Sequence, residues 1–197
     1  PTFVKNYFVW GNHFHSEIKK YINDNVKIYS LGYPRIDNQY IELSKSKNYN
    51  SNYKNCFLVI SNLHAASYKE YISEFFKVLK NIILDGQKVV IKLHRSENEE
   101  IYKNYLDHKL FSKLIIVRDE ITLKDLIFNC DYVFLIESAA AVEVIIMEKP
   151  LLVLKNKLNT MPRNKCGIYV NSRNIKEKLK NISDNNNYRN LIKKQSD

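Results

Sequence analysis

Short apolar runs alternate with longer amphipathic ones along most of the chain, and this alternation predicts strands and helices in turn. The pattern is clearest in TLKDLIFNCDYVFLIESAAAVEVIIMEKPLLVL, from Thr122 to Leu154. It predicts a helix over Leu123–Asn129 and a buried strand over Tyr132–Ile136, bounded by the polar Asp131 and Glu137. Ser138 then opens an alanine-rich helix, Ala139–Met147. Lys149-Pro150 stops that helix and launches another buried strand, Leu151–Leu154. Upstream, Cys56–Ile60, Val89–Leu93 and Leu114–Val117 read as strands. Tyr68–Leu84 has its apolar residues at helical spacing, from Tyr71, Ile72, Phe75 and Phe76 to Leu79, Ile82 and Ile83, and Asp85-Gly86 ends it. Ser61–Ser67 is a loop, and Glu97–Leu106 reads as a charged helix. Nearer the start, Phe3–Trp10 is a strand and Phe14–Ile22 a short helix. Lys27–Leu31 is a strand closed by the Gly32-Tyr33-Pro34 turn. The tail from Ile175 is helical and strongly charged, and Asn185-Asn186-Asn187 breaks it in two. Strands and helices of these lengths in alternation imply an α/β fold with a parallel sheet and helices on both faces.

Asn38–Asn55 is polar and rich in Ser, Lys, Asn and Tyr, and Ser44–Asn55 is the linker candidate, which puts a boundary between residues 53 and 54. The 197 residues suit one domain, or one and a fraction. The first residue is Pro1 rather than Met, so more chain is expected before it. No apolar run reaches the roughly 18 residues of a membrane span, and no signal peptide is visible. Cys56, Cys130 and Cys166 are far apart and form no CxxC pair, which predicts free thiols and a reducing, cytoplasmic setting. The five histidines show no HxxxH spacing, so no metal site is expected. A formal net charge of +10 suits an anionic partner such as a nucleotide or an anionic membrane surface. The lysines are spread along the chain with no nucleic-acid-binding signature, so no nucleic-acid partner is expected. The absence of GxSxG, P-loop and GxGxxG patterns argues against a serine hydrolase, a P-loop NTPase and a standard dinucleotide oxidoreductase.

Parallel sheets bind ligands beyond the carboxyl ends of their strands. Four such ends here carry polar residues: Ser61-Asn62-Leu63-His64, His94-Arg95-Ser96, Arg118-Asp119-Glu120 and Glu137-Ser138. Ser138 followed by Ala139 and Ala140 lets a ligand approach the backbone, and the N–H groups of a helix start favour an anion. Glu143, further along the same helix, is placed to reach a ribose. His94 suits donation to a phosphate oxygen or stabilisation of a departing diphosphate, with Arg95 and Lys92 adding charge. Plainer roles stay open. His94 can cap the helix that follows, Ser138 can be a simple N-cap, Glu143 can face solvent and His64 can be a loop surface residue. His13 and His15 flank an early helix start, and His108 reads as surface. Arg163 and Lys165 are weaker phosphate candidates.

The Thr122–Leu154 segment resembles the donor-nucleotide motif of GT-B glycosyltransferases, in which a serine-rich turn and a helical glutamate precede a Lys-Pro pair. Val9-Trp10-Gly11 with Leu31-Gly32-Tyr33-Pro34-Arg35-Ile36-Asp37 resembles the "WG … GxPRxD" passage at the end of the first GT-B domain. Val90-Ile91-Lys92-Leu93-His94 resembles the "KxHP" strand end of capsule and teichoic-acid polymerases, the CDP-glycerol glycerophosphotransferase group. Gly167-Ile168-Tyr169-Val170 and the helix after it are similar to the closing unit of the second domain. Arg95 replaces the usual proline, and Glu137 and Ala139 replace a common serine and threonine.

The resemblance implies that residues 1–53 are the end of an N-terminal GT-B domain plus linker. Residues 54–197 would be a Rossmann-like, nucleotide-donor-binding domain. It further implies a glycosyl- or polyol-phosphate transferase of bacterial surface polysaccharide synthesis, working in the cytoplasm or at the inner face of the membrane. The donor would be a nucleotide-activated sugar or CDP-polyol, and the acceptor a glycan or lipid-linked chain. His94 would be catalytic, and Ser138, Ala139, Ala140, Glu143, Arg95, Ser61, Asn62 and His64 would hold the donor. No cofactor or metal would be needed, and this chain alone would not catalyse transfer. Two alternatives stand beside this reading: half of a non-hydrolysing UDP-sugar 2-epimerase, and a non-catalytic nucleotide- or glycan-binding domain of a capsule assembly protein.

Overall fold

The apolar runs become parallel strands in the computed structural model, which describes residues 4–9, 11–32, 51–63, 69–155 and 167–183. The chain divides into two compact units, Pro1–Asn48 and Tyr49–Asp197. Most of the expected linker, Trp10, and Tyr33 to Asp37 of the turn passage lie outside the described residues.

In the first unit, strand β1 (Asn6–Val9), helix α1 (Asn12–Lys19) and strand β2 (Lys27–Ser30) form a right-sized crossover for a parallel pair. Phe8 stands opposite Tyr29 in the register. Side chains alternate across the pair, so Val9 is buried while Phe8 and Tyr29 stack on the other face with ring centroids 5.4 Å apart. That aromatic face is exposed among the described residues, with Phe8 at 64%.

The second unit is a six-stranded sheet: β3 (Cys56–Ile60), β4 (Lys88–Lys92), β5 (Leu114–Val117), β6 (Tyr132–Leu135), β7 (Leu151–Leu154) and β8 (Ile168–Val170). All five pairings are parallel, in the order β5-β4-β3-β6-β7-β8. The helices are α2 (Lys69–Leu84), α3 (Glu100–Tyr105), α4 (His108–Phe111), α5 (Leu123–Asn129), α6 (Ala140–Ile146) and α7 (Ile175–Ser183). Every residue of β3 and β7 is buried, as a strand covered on both faces requires. Alternation still sorts them. Phe57, Val59, Val89, Ile91, Phe134 and Leu152 face one core with α2, α3, α4 and α7. Cys56, Leu58, Val90, Val133, Leu135 and Val153 face a second core with α5 and α6. The expected α/β architecture, a Rossmann-like parallel sheet between two helix layers, is therefore present.

Helix α2 ends as its sequence suggests. Gly86 N–H bonds to Ile83 O at 3.2 Å and Gln87 N–H to Ile82 O at 3.4 Å, with Gly86 at φ +81. This is the left-handed C-terminal motif that glycine favours. Gly86→Ala is expected to lower the unfolding free energy by about 1–2 kcal/mol through backbone strain alone. No atom beyond its chain neighbours lies within 4 Å of the added Cβ, so no clash with another element adds to that strain. Urea unfolding would measure the change.

Two expectations change. The helix expected from Glu97 starts at Glu100, because Glu97 turns inward and its carboxylate receives loop N–H groups instead of opening a helix. The short helix α4 was not expected; Asp107 caps it by accepting from Leu110 N–H at 2.8 Å. Cys56 and Cys130 are free and buried. Burial pushes the Cys56 thiol up to about 11 and raises that of Cys130 further. Cys166 lies outside the described residues.

Candidate functional site

Strand order places a crevice. From β3 the chain adds β4 and β5 on one side, then crosses to add β6, β7 and β8 on the other. The loops leaving β3 and β6 therefore depart in opposite directions, and doubly wound sheets bind ligands at such a switch point. Asn62, after β3, and Glu137 and Ser138, after β6, stand at this point. Asn62 Nδ2 donates to Glu137 O at 3.2 Å, a tie across 75 residues of sequence.

Next to it, His94, Arg95 and Ser96 form the turn after β4, and all three are exposed. Ser96 N–H donates to His94 Nδ1 at 3.3 Å, and Ser96 Oγ lies 2.8 Å from the same nitrogen. A backbone N–H can only donate, so Nδ1 is the acceptor and Nε2 carries the ring proton. The turn thus gives His94 both the capping geometry and a defined donor nitrogen.

Ser61 is buried, and its Oγ accepts from the Tyr102 hydroxyl at 2.6 Å. Tyr102 is fully buried on α3; burial raises its phenol well above the usual range, so it stays a donor. The Ser61 N–H bonds to Lys92 O at 3.0 Å across to β4, and its hydroxyl serves the core. Ser138 Oγ accepts from Ala140 N–H at 3.2 Å. Ala141 N–H turns to Ser138 O and Val142 N–H to Ala139 O, at 3.1 and 3.2 Å. The first N–H groups of α6 thus have acceptors inside the turn, and the expected cradle for an anion is smaller than the sequence suggested. Ala139 is exposed, Ala140 buried and Glu143 half-buried on α6.

After β5, Arg118 Nη2 donates to Glu97 O at 2.6 Å, and Arg118 N–H to Glu120 Oε2 at 2.6 Å. The backbone N–H groups of Glu120 and Arg118 hold the Glu120 carboxyl below its usual range. Lys92 Nζ donates to Ile121 O at 3.1 Å. Lys92, Arg95 and Arg118 make this rim basic, and two of the three also pin loops.

The structure thus brings Ser61, Asn62, His94, Arg95 and Ser138 to the carboxyl end of three adjacent strands, with Glu143 on the helix that follows. His64, Arg163 and Lys165 lie outside the described residues, as does the side chain of His13. His15 belongs to the first unit, and His108 is exposed on α4. Sequence reasoning missed Glu97, Tyr102 and the Asn62–Glu137 tie. The glutamate three residues after His94 was a signal for a capping-box arrangement, but the distant partners had none. Among the described residues, no group of three or more His, Cys, Asp or Glu side chains is gathered to hold a metal ion. No helix among them is long and apolar enough to cross a membrane.

No protein-family model matches the sequence, and no curated protein matches it. Solved structures do match. The S. aureus MnaA–UDP complex aligns with 98% of this chain and 55% of its own, at 15% identity and a TM-score of 0.71. The UDP-GlcNAc 2-epimerase of Neisseria meningitidis, bound to UDP-GlcNAc, aligns with 95% and 55%, at 17% identity and a TM-score of 0.64. The E. coli heptosyltransferase WaaC with ADP-2-deoxy-2-fluoro heptose aligns with 68% and 45%, at 8% identity and a TM-score of 0.52. This chain spans about half the length of the structures it matches. At these identities the likeness concerns the fold, and it supports the GT-B architecture but not a glycerophosphotransferase specificity. The chain has the Rossmann-like α/β fold of a GT-B-type domain, which it shares with these three structures.

Proposed function

We propose that this chain is a nucleotide-sugar-binding part of an enzyme that epimerises a UDP-N-acetylhexosamine at C2. The observation that carries the reading is the convergence of Asn62, His94, Arg95 and Ser138 at the switch point of a parallel sheet. Two of the three structures above hold UDP or UDP-GlcNAc, and both resemble this chain more than the heptosyltransferase does. The epimerase reading is accordingly preferred to the transferase reading that the sequence motifs suggested first. In it, the basic rim and the Nε2–H of His94 face the diphosphate, Glu143 serves the ribose, and no metal is required. The transferase reading keeps one support, the fold likeness to a heptosyltransferase.

Calorimetry of this chain with UDP, with and without chelator, tests nucleotide binding; affinity that vanishes with chelator would overturn the metal-free reading. Incubating the whole protein that carries this chain with UDP-N-acetylglucosamine tests the reaction. Appearance of the C2 epimer by NMR is expected. Transfer of the sugar to an added glycan acceptor, without epimer, would restore the transferase reading.

A further inference from the structure

Glu97 is 6% exposed, beside the basic rim. A buried carboxylate is costly unless its oxygens receive hydrogen bonds. Both do. Oε1 accepts from Leu63 N–H in the loop after β3, and Oε2 accepts from His94 N–H at 3.1 Å in the turn after β4. Glu97 N–H returns to His94 O at 2.9 Å, and Arg118, after β5, donates to Glu97 O. One residue thus joins the loops that follow three adjacent strands. The bond from the His94 N–H to a carboxylate three residues on is half of a capping box, closed here on a histidine instead of a serine or threonine. The same turn supplies the Ser96 N–H that sets the tautomer of His94.

An apolar side chain of similar volume would fill the space under the rim without needing donors. What the carboxylate adds is a fixed register between the Ser61–Leu63 loop and the His94 turn. We infer that Glu97 is a positioning residue for the nucleotide-sugar site, holding His94 in one place and one tautomer. This rests on the nucleotide-sugar reading for what His94 meets, while the state of His94 itself can be observed without any ligand.

The test uses this chain with UDP as the probe. Glu97→Gln keeps the volume but sets an NH2 against a backbone N–H. UDP affinity is expected to fall about tenfold, the scale of one lost charge-assisted hydrogen bond. The double variant His94→Ala/Glu97→Gln is expected to bind no more weakly than His94→Ala, because Glu97 acts through His94. In mildly alkaline buffer, nitrogen NMR of the His94 ring should show Nδ1 as an unprotonated acceptor in the parent and mixed tautomers in Glu97→Gln. Losses that add in the double variant, with unchanged His94 ring signals, would overturn the proposal. Should Glu97→Gln fail to fold, Glu97→Asp keeps the charge, shortens the reach and is read in the same way. A parent chain with no affinity for UDP would overturn the nucleotide-sugar reading. The ring signals would then decide the positioning role alone: mixed tautomers in the variant support it, and unchanged ones overturn it.

Discussion

Phe134→Ala is expected to lower the unfolding free energy of this chain by about 3–5 kcal/mol, the range for a buried phenylalanine removed from a core. Phe134 is fully buried on β6. Its ring stacks on that of Phe75 from α2, with centroids 5.3 Å apart and planes 12° from parallel. Phe75 in turn meets Phe76 edge to face at 5.3 Å, so the truncation opens one end of an aromatic row between sheet and helix. Domains of this size have about 5–15 kcal/mol of stability in all, so the variant should unfold at much lower urea. Tyr105→Ala is the matched control. Tyr105 also stacks, on Phe76 at 4.4 Å, but it is 43% exposed and should cost far less. Equal losses in the two variants would mean that Phe134 is not packed between sheet and helix as described.

If the proposed nucleotide-sugar reading holds, His94→Ala should have the largest effect on reaction rate. In the whole enzyme, turnover is expected to fall by about 2–4 kcal/mol, or roughly thirty- to a thousandfold, the scale for removing one donor to a developing diphosphate charge. The imidazole is exposed, so little packing is lost with it. Loss of the acceptor for Ser96 N–H costs about 1 kcal/mol, as for other caps. Steady-state kinetics beside a melting curve separate the two roles. An unchanged rate with a lowered melting temperature would reduce His94 to a cap.

The sequence by itself determined the elements that depend on neighbours a few residues away. The buried strands Cys56–Ile60 and Leu151–Leu154, the half-buried strand Leu114–Val117 and the helix Leu123–Asn129 lie where the apolar runs and periods put them. The C-terminus of α2 lies at Leu84, ahead of its glycine. Others shift by one to three residues where a cap or frayed turn decides the end, as at Ala140–Ile146 and Asn12–Lys19. The carboxyl-end polar residues were legible too, because a parallel sheet places them at one rim whatever its strand order.

Only the tertiary structure decided which of those rim residues work together and which serve the core. Strand order put the switch point between β3 and β6 and joined Asn62 to Glu137, 75 residues away. The Ser61 hydroxyl went to Tyr102, 41 residues away, and the Glu97 carboxylate reached back 34 residues to Leu63. Glu97 looked like the exposed start of a charged helix because helical pattern and charge are local signals. Its burial follows from two N–H donors, the local one of His94 and that of Leu63, which only the assembled sheet brings to it. Local propensity cannot carry that information, since the free energy gained by satisfying a buried group exists only once distant loops have met.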